Sequence, residues 1–219
     1  MKRRMLILLL GGVCLACAGL PQIKPAADAP LPQPCRIFPQ GEWQLLHSIK
    51  AEFPGGGSFM SLGLTVMSSR DRSHRSVVMT FEGFSLFDGE YRGEPIVHRA
   101  LPPFDSPHFA GGLMEDIRLV FFEPEGPVIA AGLLANGSFA QRHPSPDGGV
   151  VDLAWHPDGT WELRRYGPDH RLNRSVRASG PCGSGAALPE RVELRAHGNP
   201  TYKLVMTLVE AVAIDRPAP

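Results

Sequence analysis

The sequence predicts a mainly β protein, an antiparallel meander that curls around one helical insert, and three observations predict it. Apolar residues alternate with small or polar ones along several short runs, the two-residue period of strands with one wet face. Asp-Gly pairs and a Gly-Asn-Pro break punctuate those runs as turns would. One segment, and only one of any length, switches to a three-to-four-residue apolar spacing.

The chain of 219 residues opens on Met-Lys-Arg-Arg followed by "MLILLLGGVCLA". A positive start and a short apolar stretch, too brief for a membrane span, read as an export signal over residues 1–16. The sequence "VCLAC" resembles a bacterial lipobox, which makes Cys17 the expected site of lipidation and the first mature residue. That resemblance carries an imperfection, Cys14 standing where Leu is usual, and ordinary secretion or an uncleaved anchor is the alternative. Ala18, in place of an aspartate, implies the outer membrane as the address. Residues 17–38 are expected as lipid anchor and tether, because Ala18 to Pro34 holds five prolines and little that could fill a core. Proline-rich chain extends ~3.1 Å per residue, a reach of about 50 Å. A single domain over residues 39–219 is expected to follow.

Within the body, Met60, Leu62, Leu64 and Val66 alternate with Ser61, Gly63 and Thr65, and Val77, Met79 and Phe81 with Val78 and Thr80. Asp88-Gly89 reads as a two-residue hairpin turn. In "FDSPHFAGGLMEDIRLVFFEP" Ser106 is an N-cap with Pro107 at the first helical position. Phe109, Leu113, Ile117 and Val120/Phe121 then form one apolar stripe, and Pro124 stops the helix. A second, shorter helix is expected from Pro127 to Ala135, ended by Asn136-Gly137. Strands resume with Val151, Leu153 and Trp155 on one face, a turn at Asp158-Gly159, and Val192, Leu194 and Ala196 on one face. After "HGNP" the row Tyr202, Leu204, Met206 and Leu208 completes a terminal hairpin.

The charge balance is 22 basic against 22 acidic residues, and loss of the signal with Lys2, Arg3 and Arg4 leaves 19 against 22. A mildly acidic exported chain has no electrostatic footprint for nucleic acid. Cys35 and Cys182 are left in the body. In an oxidising compartment they are expected to pair, closing a loop worth roughly 4 kcal/mol, with two free buried thiols as the alternative. Catalytic machinery is not expected. The histidines lack metal-ligand spacing, Ser58 and Ser184 lack a nucleophile elbow, and Gly55-Gly56-Gly57 lacks the Lys-Ser/Thr of a phosphate loop. His98 and His108 near Asp105 could form an acid/base cluster, but structural histidines account for them as well. Neither metal nor cofactor is expected.

The run "MTFEGFSLFDGEYRGEPIVHRALPPFDSPHFAGGLMEDIRLVFFEP" and the closing "PERVELRAHGNPTYKLVMTLVEA" resemble a family of bacterial outer-membrane lipoproteins similar to the LolA/LolB lipoprotein-localisation factors. The likeness spans about residues 42 to 214. It implies an incompletely closed antiparallel β-barrel whose concave apolar face is covered by a helical lid, Ser106 to Phe122, over a pocket for a lipid or an acylated molecule. The residues expected to line that pocket are Met60, Leu62, Leu64, Met79, Phe81, Leu113, Ile117, Leu204 and Met206. The turn Glu82-Gly83-Phe84 resembles the position where LolB-like proteins present an apolar side chain to the membrane, so Phe84 is the candidate contact. Its alternative role is a core residue beside a bulge at Gly83. A monomeric lipid carrier is the function implied, and a scaffold for an envelope complex, its interior filled by side chains, is the alternative.

Overall fold

The computed structural model describes residues 19–25, 36–179 and 188–214. Cys17, Cys35 and Cys182 lie outside the described residues. Twelve strands form one antiparallel sheet: β1 (Glu42–Glu52), β2 (Ser58–Ser68), β3 (Ser73–Met79), β4 (Ser85–Tyr91), β5 (Pro95–Ala100), β6 (Ala130–Leu133), β7 (Phe139–Pro144), β8 (Val150–Trp155), β9 (Thr160–Tyr166), β10 (Leu172–Ser179), β11 (Arg191–Ala196) and β12 (Tyr202–Ala213). Their order is β5-β4-β3-β2-β1-β12-β11-β10-β9-β8-β7-β6. The first and last strands therefore pair in the middle, and β5 and β6 are the two ends. They do not pair with one another, so the barrel is open. The stretch that joins them contains α1 (Pro107–Phe121), the single helix among the described residues.

Helix α1 forms where the sequence places it. The Ser106 hydroxyl accepts from the Phe109 amide at 3.4 Å, Pro107 occupies the first turn, and Phe122 leaves the helix in an extended conformation. Its buried side is Ala110, Met114, Asp116, Ile117, Val120 and Phe121. A carboxylate thus stands within the apolar stripe.

Three local expectations are corrected. Asp88-Gly89 is no turn but the middle of β4, where Asp88 opposes Val77 and Gly89 opposes Ser76. Arg75 holds the Asp88 carboxylate through two hydrogen bonds of 3.0 and 2.8 Å, and a Cβ on Gly89 would crowd the Phe87 ring. The turn falls instead at Gly93. At Asp158-Gly159 a hairpin turn does form, but only Gly159 has positive φ, at 82°. Asp158 stays right-handed because its carboxylate accepts from the Thr160 amide at 2.9 Å, which makes the loop a turn with a glycine bulge. The helix expected over Pro127 to Ala135 is strand β6, paired with β7 from Ala130↔Arg142 to Leu133↔Phe139. Edge pairing there overrides a weak helical pattern.

Residues 19–25 were expected in a free tether, and they are held. The Lys24 amide donates to the Leu133 carbonyl at 2.9 Å and the Leu133 amide to the Lys24 carbonyl at 2.8 Å, while Arg142 Nη2 donates to the Pro21 carbonyl at 2.9 Å. Gly132 admits this approach, since a Cβ there would collide with the Lys24 carbonyl. The exposed edge of β6 is covered in this way.

Candidate functional site

The core divides along the sheet. From β8 to β12 the alternating apolar rows face inward, and Leu153, Leu163, Val176, Val192 and Leu194 are buried in one cluster, with Phe38 packed on Trp161 at 5.8 Å. From β1 to β3 several inward positions are small, Ala51 on β1, Ser61, Gly63 and Thr65 on β2 and Ser76 on β3, set among Leu45, His47, Met67, His74 and Val78. Thr65 and Ser76 satisfy each other's hydroxyls at 3.0 Å. Ala51 and Ser61 leave volume. A cavity of about 550 Å³ lies between this region of the sheet and the N-terminal half of α1, within the range of small-molecule sites.

Its wall is apolar over most of its area, formed among others by Ile49, Val78, Leu86, Phe104, Phe109 and Leu204. Gly111 and Gly112 of α1 also line it, and a Cβ on either would meet nothing within 4 Å. Two adjacent glycines cost a helix about 1 kcal/mol each relative to alanine, so this lid sacrifices helix stability for space. One polar cluster interrupts the wall. Asp116, 3% exposed, accepts from Arg174 Nε at 2.8 Å and from the Tyr202 hydroxyl, and all three residues line the cavity. Burial pushes the Asp116 carboxyl above its ordinary range although Arg174 and Tyr202 pull the other way; burial and the same carboxylate raise the Tyr202 phenol.

The far half of α1 is clamped. Arg118 bridges Glu115 and Glu125 at 3.4 and 2.6 Å, and Arg165 of β9 bridges Glu115 and Asp147 at 3.2 and 2.9 Å. Beneath them His47 lies 5.5 Å from the Phe121 ring, and His74 is sandwiched between Tyr91 and Phe122 at 6.0 Å from each. Burial lowers both histidines to about 4, with Arg118 adding to the effect at His74, so both are neutral at pH 7. The helix is therefore fixed at its C-terminal end and lies over open volume at its N-terminal end.

Of the residues expected in the pocket, Leu113 and Leu204 line the large cavity. Ile117 and Met206, again with Leu113 and Leu204, enclose an adjoining space of about 40 Å³. Met60, Leu62, Leu64 and Met79 are placed on the opposite row, the outer face, and their neighbours Ser61, Gly63, Thr65 and Val78 point inward. The physical reason is room: Ile49 already fills the space a side chain on Gly63 would take, and Ile117 and Phe121 press down from α1. On the outside Leu64 is flanked in register by Leu46 and Val77, so the apolar row is half-shielded without a core. Phe81 is not in the wall but on the β3–β4 turn, 56% exposed, beside Phe84 at 54%. Phe84 does not return to the core; its ring lies 5.3 Å from the Arg99 guanidinium. His98 faces Glu90 at 3.8 Å, and His108 stands in the cavity wall.

Sequence reasoning missed Ser61, the glycine pair and the Asp116–Arg174 pair. The signals were present in "FAGGLMED": glycines inside a helix, and an acid one residue from the stripe. Phe53 and Phe59, at the ends of the β1–β2 hairpin, also line the cavity and are partly exposed.

No family model matches the chain, and no curated protein matches it in sequence. Among solved structures it is similar to a LolA superfamily protein from Nitrosomonas europaea, with a TM-score of 0.56 at 11% identity over 83% of this chain and 90% of that one. A domain from Vibrio parahaemolyticus described as outer membrane lipoprotein-sorting gives a TM-score of 0.44 at 8% identity, covering 78% of this chain and 85% of its own. At such identities the likeness is one of fold. Twelve antiparallel strands left open, with a helix across the concave side, are the LolA-like fold.

Proposed function

We propose that this protein is an envelope lipoprotein, anchored to the outer membrane through Cys17, that holds a lipid or acylated molecule in the cavity beneath α1. The observation that carries the reading is the cavity itself, about 550 Å³ of mostly apolar wall in which Ala51 of β1, Ser61 of β2 and two glycines of the lid leave room. A scaffold would fill such space, because packing to native density stabilises a core. The exposed Phe81 and Phe84, with Phe53 and Phe59, give the strand turns an aromatic rim suited to a lipid surface. No step of catalysis is needed for this role, and a monomer suffices.

The test is uptake of a fluorescent fatty acid by delipidated protein. Leu113→Glu, which puts a charge in the cavity wall, is expected to abolish uptake. Protein extracted from its own envelope should carry lipid in native mass spectrometry and melt at a higher temperature with lipid than without. Absence of both would overturn the carrier reading in favour of the scaffold. The anchor is tested separately by palmitate labelling, which Cys17→Ser should eliminate.

A further inference from the structure

The polar cluster in the cavity wall calls for a reason, because an ion pair in an apolar wall is no more stabilising than well-packed apolar residues of the same volume. Its two charges belong to different bodies. Arg174 is carried by β10, in the middle of the sheet, and Asp116 by the lid helix. Tyr202, on β12, directs its hydroxyl at the same carboxylate. The sheet thus offers a guanidinium and a phenol to one carboxylate inside an otherwise apolar chamber, and the lid supplies that carboxylate.

Resting on the carrier reading, we propose that Arg174 and Tyr202 form the head-group site for a single long-chain carboxylate, and that Asp116 is an internal stand-in which the ligand displaces. On exchange the ligand's carboxylate takes the hydrogen bonds of Arg174 and Tyr202, and the displaced Asp116, held in the clamped half of α1, takes up a proton from water. Charge in the chamber stays balanced, one guanidinium against one carboxylate. A phosphate monoester dianion would leave one negative charge uncompensated there, which a buried site does not tolerate. Size points the same way. At roughly 30 Å³ for a water-sized group, 550 Å³ accommodates about eighteen such groups, enough for one acyl chain and too little for three.

The experiment measures displacement of a bound fluorophore from delipidated protein by hexadecanoic acid and by hexadecan-1-ol, which differ only at the head. The acid is expected to bind at least about tenfold more tightly than the alcohol, as a charge-assisted site requires. Arg174→Gln should collapse that difference by weakening the acid far more than the alcohol. Tyr202→Phe, a milder change that keeps the ring, should reduce the preference several-fold and guards against misfolding of the first variant. Asp116→Asn should tighten the acid by removing its competitor. Equal binding of acid and alcohol by the unaltered protein would overturn the head-group site while leaving the carrier reading standing, and weaker acid binding in Asp116→Asn would overturn the stand-in role. Failure of both ligands to bind would instead refute the carrier reading.

Discussion

The two halves of the sheet, β1 to β3 and β8 to β12, are built from the same alternating pattern and use it in opposite senses. On β8, β11 and β12 the larger apolar row faces inward and fills the interior, as Leu153, Leu194 and Met206 show. On β2 the larger residues Met60, Leu62 and Leu64 face out, and Ser61, Gly63 and Thr65 face in, with Ser76 of β3 beside Thr65. Alternation reports which residues share a face. It does not report which face is the inside. The lesson is that a chamber is made where the inner row is undersized, so the strands with the most conspicuous apolar repeat are not the ones whose repeat lines it.

The contrast can be broken most forcefully in the filled half. Leu194 is fully buried, and Leu194→Ala is expected to cost about 2–5 kcal/mol, whereas Leu62→Ala, on the outer row, should cost about 1 kcal/mol or less. Urea unfolding of the two variants decides it, and equal losses would restore Leu62 to the interior. Acid probes the clamped end of the lid. His47 and His74 have folded values near 4 against about 6.5 unfolded, so their burial contributes fully above pH 6.5 and is lost as pH falls through about 4. Each accounts for roughly 3 kcal/mol over that window, and Asp116, shifted upward, opposes part of the loss. Urea midpoints at pH 7.5 and 4.5 should differ accordingly, and His47→Phe should reduce the difference. Flat midpoints would mean the histidines are not buried neutral.

Smaller effects sharpen the comparison in the open half. Ser61→Leu, which enlarges the inner row, should lower fatty-acid uptake about tenfold at little cost in stability, while Leu62→Phe should leave uptake unchanged. The reverse result would assign the chamber to the other row. Last, Gly111→Ala is expected to stabilise by about 1 kcal/mol, because a Cβ there meets open space, raising the melting temperature by about 2–4 °C. No gain would indicate that the lid is not helical at its N-terminal half in solution.

What was legible in the sequence follows from how local each signal is. Helix α1 was readable because cap, first-turn proline, stripe and stop all lie within one segment. The terminal hairpin was readable because its two rows flank a single break. The facing of β2 was not, since it depends on Ile49 from a neighbouring strand and Ile117 from a helix some fifty residues on. Strand β6 was misread because its identity comes from pairing with β7 on one side and Lys24 on the other, neither visible in "PVIAAGLLA". The Asp116–Arg174 pair joins residues far apart in the chain and leaves no spacing to detect.

The clamp of Pro21 and Lys24 onto β6 and β7 has a mechanical consequence. If Cys17 carries acyl chains, the anchor stands four residues upstream of Pro21, the first residue held, and four extended residues span only ~14 Å. An unclamped segment would reach about 50 Å. The barrel would then be leashed against the bilayer it is fixed to, so its encounters with that bilayer become intramolecular while other partners must approach the surface to meet it. A Gly-Ser insertion of about ten residues after Ala18 lengthens the leash. Lipid transfer to separate vesicles should rise with that insertion, and an unchanged rate would show that the short attachment does not confine the protein.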